Sequence, residues 1–543
     1  MEFHFADVPH TKPTNSIRPI AMTIQELFRS VLTRHDRHCV KNYLAESESE
    51  MKSYEDEIQK LKATVMALET RRDWLKRSMM RYRSLLSPIR ILPLEILSMI
   101  FGHFCEDNPL DAYLVPPVVT LSLVCAQWRA LVLSTPGLWS SLSIDFENWD
   151  MLANDIGLER MTRLFLERSK KSPLTLVLRL PDPKGCEFRS AATLGALVNS
   201  ADRWHDITLL APWNISPSSP ILEGLRGHLP ILSALHLNGA GPDDDRSKFD
   251  FFSYCPALHS LQIQPGDDPY GPEYPSPRLV LPWEQIKSLK MYDSFAPSAV
   301  SLLSQCPNVE SLELSLVGGG TLYPKNIASD VLRSLSIEAR EQDDVSTILH
   351  STTLRNLNSV EIRGDIGEPT RDWPYWDGGP MASFIARSYC TITSLRLKWV
   401  PITDMQAVSL LELMPGLQSL HLEEYTRGIV TNTNRMVTGR LLNRLSLGQD
   451  EGSECYSFNR KFLPRLADLS LVMHDDDTDS RALLTAVLSR WLPDPEHASA
   501  AGVDCIRSVA VVLMGQNCSD FDPFASLECL RAGGVRVSTS RVL

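Results

Sequence analysis

What this chain lacks narrows the reading first. Its eleven cysteines are an odd number, widely scattered and without any C-x-x-C pair. Disulfide frameworks and zinc modules need tighter spacing. No stretch approaches the roughly 18 uninterrupted apolar residues of a spanning helix. Basic residues are the minority, 54 against 66 acidic, for a net charge of −12. That balance argues against general binding to nucleic acid or anionic membrane, which needs a basic face. The N-terminal MEFHFADVPH has neither the basic nor the apolar part of a secretory signal. These absences together read as an intracellular protein of the cytoplasm and/or nucleus. No G-x-x-x-x-G-K-[ST], G-x-S-x-G or H-E-x-x-H occurs. Gly318-Gly319-Gly320 lacks the following lysine of a phosphate loop and reads as a turn.

Glycine and proline are also missing between Pro19 and Pro88. The expectation is a mobile tail over residues 1–21 and a helical region over 22–87. Thr23 and Glu26 form a T-x-x-E start signal, followed at helical spacing by Leu27, Phe28, Val31 and Leu32. A heptad register follows. Leu44, Met51, Ile58, Val65, Arg72, Met79 and Leu86 take position a; Ser47, Tyr54, Leu61, Leu68, Leu75 and Tyr82 take position d. All are apolar except Arg72 and Ser47, which predicts a coiled-coil or helical-hairpin seam. A parallel homodimer would attract at Glu57 with Lys62 but repel at Glu50 with Glu55 and at Arg71 with Lys76. Packing on the chain's own helix 23–43, or on the next domain, is therefore the favoured expectation over a homodimer.

From residue 138 to the C-terminus an L-x-x-L-x-L template repeats, with Ile, Val, Trp or Met allowed at the apolar places. Copies stand at Leu232/Leu235/Leu237, Leu258/Leu261/Ile263, Ile286/Leu289/Met291, Val309/Leu312/Leu314 and Leu332/Leu335/Ile337. Others are Leu357/Val360/Ile362, Ile392/Leu395/Leu397, Leu417/Leu420/Leu422, Leu442/Leu445/Leu447 and Leu466/Leu469/Leu471, with weaker ones at Trp204/Ile207/Leu209 and Ile506/Val509/Val511. L-x-L predicts a short strand with alternate side chains inward. The returns, such as SAVSLLSQC and MQAVSLLEL, predict helices. One unit cannot bury its own apolar face, so the units should stack. The spacing resembles leucine-rich repeats, which implies an α/β solenoid, or horseshoe, over 138–543. Pro230, Pro256, Pro307, Pro415 and Pro464 precede several copies and stop the preceding helix. Cys255 and Cys306, just before two of them, read as small buried apolar residues.

Residues 88–139 carry the most specific pattern, with the module itself set at 88–137. Leu92 to Leu97 spell L-P-L-E-I-L, Ile100-Phe101 follow, Val124 to Arg129 spell V-C-A-Q-W-R, and Leu138-Trp139 close it. Pro93 stands at the start of an almost all-round apolar helix, and Pro116-Pro117 open a second. This resembles the F-box, a three-helix module, here with an unusually long link between its first two helices. A coil before it and leucine-rich repeats after it resemble a fungal F-box protein arrangement. The fold class expected is thus a mainly α N-terminal region followed by an α/β solenoid.

The resemblance implies a role rather than a reaction. It is that of a non-catalytic substrate-recognition subunit of an SCF-type ubiquitin ligase, joined through a Skp-type adaptor to cullin and RING subunits. Carried over by motif, Leu92, Pro93, Ile96, Leu97 and Ile100 would contact the adaptor from the first helix. Val124, Cys125 and Trp128 would form a second patch, unless Val124 and Trp128 hold the helices together instead. The alternative class is an interaction scaffold that does not drive ubiquitination. The repeat register would present Lys290, Tyr292, Glu313, Arg363, Arg396, Lys398, His421 and Glu423 to the hollow, as a surface for the unknown target. Acidic runs after the strands (Asp243–Asp245, Asp267-Asp268, Asp343-Asp344, Glu423-Glu424, Asp450-Glu451, Asp475–Asp477) predict a negative rim suited to a basic target segment. His35 and His38 lack a third ligand, and Cys125 sits in apolar surroundings unsuited to a reactive thiol. No metal, cofactor, nucleic acid or membrane is expected.

Overall fold

A computed structural model describes residues 28, 29, 31–110, 114–146, 155–180, 190–210, 221–239, 249–264, 279–316, 326–364, 373–425, 435–447, 461–474, 480–514 and 523–542. The expected tail, the Thr23–Glu26 start signal, Gly318–Gly320 and the acidic runs at 243–245, 267–268, 450–451 and 475–477 lie outside them. The chain divides into two compact units, Met1–Ile96 and Leu97–Leu543.

The first unit is built on one helix, α1 (Arg34–Leu85), of 52 residues. It begins later than the breaker-free run suggests. Thr33 accepts from the Asp36 N–H at 3.3 Å, and the Asp36 carboxylate accepts the Thr33 N–H at 3.1 Å. This reciprocal cap satisfies two otherwise orphaned donors and sets the start there. Phe28 lies in a turn, and Val31 and Leu32 are irregular, so their helical spacing goes unused. Residues 34–43 are the first turns of α1 itself, so the expected packing of the seam on a helix 23–43 does not occur. No residue of α1 is buried. Among the described residues no single helix is long and apolar enough to cross a membrane. A 3-10 turn (Pro88–Ile91) leads to α2 (Leu94–Phe104), whose later turns belong to the second unit.

In the second unit, α3 (Pro117–Val124) and α4 (Ala126–Ser134) follow as the prolines predict. The rest is strand-rich. Among the described residues, one parallel sheet of 15 strands contains β1 (Pro109–Leu110), β2 (Ser141–Asp145), β3 (Leu174–Arg179), β4 (Trp204–Leu210), β5 (Ala234–Asn238), β6 (Ser260–Gln264), β7 (Ser288–Ser294) and β8 (Ser311–Leu316). It continues through β10 (Ser334–Ala339), β12 (Ser359–Gly364), β13 (Ser394–Lys398), β14 (Ser419–Glu423), β15 (Asp468–His474), β16 (Ser508–Met514) and β17 (Arg536–Val542). Two further strands, β9 (Ile327–Ser329) and β11 (Thr352–Leu354), pair with each other. Every neighbour in the large sheet is the next of its strands along the chain.

The template explains the strands. In β5, β6, β8, β10 and β12 buried and half-buried residues alternate, with the template leucines, isoleucines and valines on the buried face. A second feature, not in the template, fixes the stacking. Ser260, Ser288, Ser311, Ser334, Ser359, Ser394 and Ser419 are register partners in succession. The carbonyl just before each strand accepts two N–H groups from the next. The Lys287 carbonyl takes Glu310 and Ser311, that of Glu310 takes Arg333 and Ser334, and that of Arg333 takes Asn358 and Ser359.

One copy is misread. Leu442/Leu445/Leu447 do not make a strand; Gly439–Leu445 is a helix, and β14 pairs directly with β15. Leu441, Leu442 and Leu445 are all fully buried, and that spacing serves a helix equally well. The predicted return helices appear at Ala296–Leu303 and Asp404–Glu412. Cys255 and Cys306 are buried, and burial pushes both thiols up to about 12.

Three arginines tie successive return segments together. Arg203 donates to the Ser172 carbonyl and to Ser169 Oγ, and Arg387 to the Leu349 and Thr352 carbonyls. The Arg490 guanidinium, fully buried, donates to the carbonyls of Leu445 at 2.6 Å, Leu463 at 2.9 Å and Phe462 at 2.7 Å. Each uses the rigid fork of the guanidinium to satisfy carbonyls at the end of a helix or turn.

Candidate protein-docking surfaces

The helical module in the second unit has a packed side and a bare side. Leu97 and Phe101, one helical turn apart, are each 1% exposed. Phe101 meets the Trp128 ring edge-to-face at 4.7 Å. Val118, Leu121 and Val132 complete the interior. Leu97 is therefore core, which corrects its expected place in the adaptor contact: its direction on the helix points it inward. Trp128 is half-buried against Phe101, so it holds helices together. Cys125 ends α3 and caps α4, its Sγ accepting the Trp128 N–H at 3.5 Å. That positions the turn between the two helices.

The bare side is apolar. Ile100 is 43% exposed and Val124 57%, and Met99, Phe104 and Leu123 are exposed too. Phe104 follows Ile100 by one turn, a spacing visible in the sequence; nothing there singled out Leu123. In the first unit, Leu92 is half-buried, Pro93 is exposed and Ile96 is 42% exposed.

The module is locked onto the sheet by its long link. β1 lies within that link and pairs with β2. Just before it, Asn108 is completely buried. Its amide donates to the carbonyls of Cys105, Leu138 and Ser141, and its oxygen accepts the Val118 N–H. Trp139 is buried beyond it, donating to the Val132 carbonyl at 2.9 Å, with Phe165 and the Arg168 guanidinium against its ring.

The second surface is the half-buried face of the sheet. Strand register places Lys290 opposite Glu313, Glu338 opposite Arg363, Arg363 opposite Lys398, and Lys398 opposite Glu423. Most charges there pair with one another. Lys290 reaches Glu313 at 2.7 Å, Arg363 reaches Glu338 at 3.5 Å and Lys398 reaches Glu361 at 3.3 Å. Tyr292 donates to Glu313 at 2.9 Å, and burial, together with that hydrogen bond, pushes its phenol up. The Lys290 and Tyr292 hydrogen bonds outweigh desolvation and hold the Glu313 carboxyl down. His421 lies between Ser470 and Glu423, and burial pushes its imidazole pKa down, aided by the charges of Lys398 and Arg396. Arg396 is exposed and has no ion pair or hydrogen bond among the described residues. Arg363 Nε and Trp399 Nε1 are buried without an acceptor among the described residues. The exposed face thus offers the Arg396 guanidinium as an unpaired donor within a set of charges that otherwise mostly pair with one another.

The negative rim is not found where it can be seen. Of the acidic pairs in described residues, Asp343-Asp344 open a helix (Gln342–Ser351), and Asp344 is 2% exposed. Burial, with the charges of Glu341 and Asp343, pushes its carboxyl up to about 6 against two backbone hydrogen bonds. Glu424 is buried too, accepting the N–H groups of Met436, Val437 and His474. Both residues act within the fold.

A family model described as F-box-like matches residues 89–145. The match begins in the 3-10 turn before α2 and ends with β2, so it includes the long link and the first full strand of the sheet. No curated protein matches the chain.

Proposed function

We propose that this chain is the substrate-recognition subunit of an SCF-type ubiquitin ligase. Its F-box-like domain docks on a Skp-type adaptor, and through it on cullin and RING subunits. The region from 138 to 543 is read as a leucine-rich-repeat-like solenoid that holds a target protein. The chain supplies no reaction of its own. By tethering the target it raises the effective concentration of target lysines at the ubiquitin-carrying enzyme. The cytoplasm and/or nucleus is where such an assembly works.

The observation that carries this reading is the F-box-like match over residues 89–145. The exposed apolar side chains of Ile100, Phe104, Leu123 and Val124 support it, because they are unused by the module's own core. Sequential parallel strands support the repeat reading, and the exposed Arg396 guanidinium supports placing the target on the sheet face. Docking is tested by co-expressing the full chain with a Skp-type adaptor and a cullin, and comparing it with Ile100→Asp/Val124→Asp. The expected result is co-purification of adaptor and cullin with the wild type and loss of both with the variant. Adaptor without cullin would favour the scaffold that does not drive ubiquitination; neither partner with the wild type would overturn the reading.

A further inference from the structure

Helix α1 is about 78 Å long at 1.5 Å per residue, yet none of its residues is buried. Leu44, Met51, Tyr54, Ile58, Leu61, Val65, Leu68, Leu75, Met79 and Tyr82 form one stripe along it, and every one of them is exposed. An apolar seam of this length, interrupted at Ser47 and Arg72 and left in water, calls for a partner surface.

The charges say which partner. Residues 44–57 carry Glu46, Glu48, Glu50, Glu55, Asp56 and Glu57 against Lys52 alone. Residues 60–83 carry Lys60, Lys62, Arg71, Arg72, Lys76, Arg77, Arg81 and Arg83 against Glu69 and Asp73. The first turns of α1 carry Arg34, Arg37 and Lys41 against Asp36, so the acidic stretch stands inside the helix and the macrodipole, whose field fades within the first and last turn, does not account for it. Segregation over so many turns needs another cause. A second copy running in the opposite direction supplies it, because the acidic stretch 44–57 of each copy then faces the basic stretch 69–82 of the other.

We infer that α1 pairs with α1 of a second copy as an antiparallel coiled coil centred near Ala63. In that register Leu44 meets Tyr82 of the other copy, Met51 meets Leu75, Ile58 meets Leu68 and Leu61 meets Val65. Arg72, the charged seam residue, falls opposite Tyr54, whose ring can take the guanidinium on its face. Where two charged flanking residues meet within α1, their signs are opposite: Glu48 with Arg83, Glu55 with Lys76, Glu57 with Arg71 and Lys62 with Glu69, while Glu50 falls opposite Ser78. The parallel arrangement instead sets Glu50 against Glu55 and Arg71 against Lys76. The inference is independent of what the F-box-like domain binds.

The two arrangements respond with opposite sign to one charge reversal, measured by sedimentation equilibrium of the full chain. Glu55→Lys breaks the antiparallel Glu55–Lys76 pair twice per dimer and should weaken dimerisation about tenfold. Lys76→Glu should do the same, and the double variant should regain wild-type affinity. In a parallel pair each single reversal would tighten the dimer by removing a repulsion. Leu61→Asp/Leu68→Asp, on exposed positions of α1, should give a monomer whose helical circular dichroism outside α1 is kept. A wild-type chain that stays monomeric at tens of micromolar, or single reversals that strengthen association, would overturn the inference.

Discussion

Asn108 Oδ1 accepts the Val118 N–H at 3.1 Å while the same carboxamide donates to Leu138 and Ser141 on the other side. One side chain thus joins the start of α3 to the entry of the first full strand. Val118 is among the first N–H groups of its helix and has no partner within it. Removing the amide leaves that donor and several buried carbonyls unsatisfied. Asn108→Ala should lower stability by about 2–4 kcal/mol, measured by denaturant unfolding. Asn108→Asp keeps the acceptor but sets a carboxylate against three carbonyls, and should be at least as damaging at neutral pH. A variant as stable as the wild type would show that the clamp is idle.

The two sides of α2 should separate in mutational tests. Leu97→Ala removes a side chain 1% exposed and should cost about 2–5 kcal/mol of stability. Leu92→Ala, Pro93→Ala and Ile96→Asp together should leave the melting temperature nearly unchanged and abolish adaptor capture. A carboxylate buried in an apolar interface costs several kcal/mol, roughly a thousandfold or more in affinity. Adaptor capture by the triple variant at wild-type strength would remove these residues from the docking surface.

Asp344 predicts a pH dependence with a definite sign. Its folded carboxyl titrates at about 6, above its ordinary value of 3.8. Between those values the native state binds more protons than the unfolded state, so stability falls as pH rises from 4 to 6 and stays reduced above. Asp344→Asn should therefore raise the melting temperature at pH 7.5, by an amount on the order of 1–3 kcal/mol in stability. The gain should shrink towards zero by pH 4. A gain constant with pH would mean that the charge is not what burial penalises.

Arg396 separates target capture from fold. It has no ion pair or hydrogen bond among the described residues, whereas Arg363 and Lys398 are held at 3.5 Å and 3.3 Å by Glu338 and Glu361. Arg396→Ala should leave stability within about 0.5 kcal/mol of wild type. If the sheet face reads the target, capture in affinity purification should drop. Unchanged capture would move the target site to the loops or ends of the sheet.

Arg490 tests the ties between return segments. Lysine keeps the charge but cannot place three donors in one plane. Arg490→Lys should cost about 2–4 kcal/mol, because at least one of the carbonyls of Leu445, Phe462 and Leu463 is left bare. Chemical denaturation of the two proteins measures it.

Local periodicity was enough for much of this chain. The strands at Leu235/Leu237, Leu261/Ile263 or Leu395/Leu397 follow from alternation alone, because a two-residue period has no other regular use. The three helices around Leu94, Pro117 and Trp128 follow from prolines and apolar spacing. Where one pattern serves two structures, the chain is silent. Leu442 and Leu445 suit a strand template and a helix face equally, and packing chose the helix. A similar limit separates Leu97 from Ile96 and Ile100: on a helix apolar nearly all round, only the neighbours decide which side is core. The capping box at Thr33, the internal use of Asp344 and Glu424, and the pairing of Arg363 with Glu338 also lay beyond it. The last three join residues or backbone brought together by tertiary packing and strand register, and whether a carboxylate meets water or a buried N–H is settled only when the chain has closed around it.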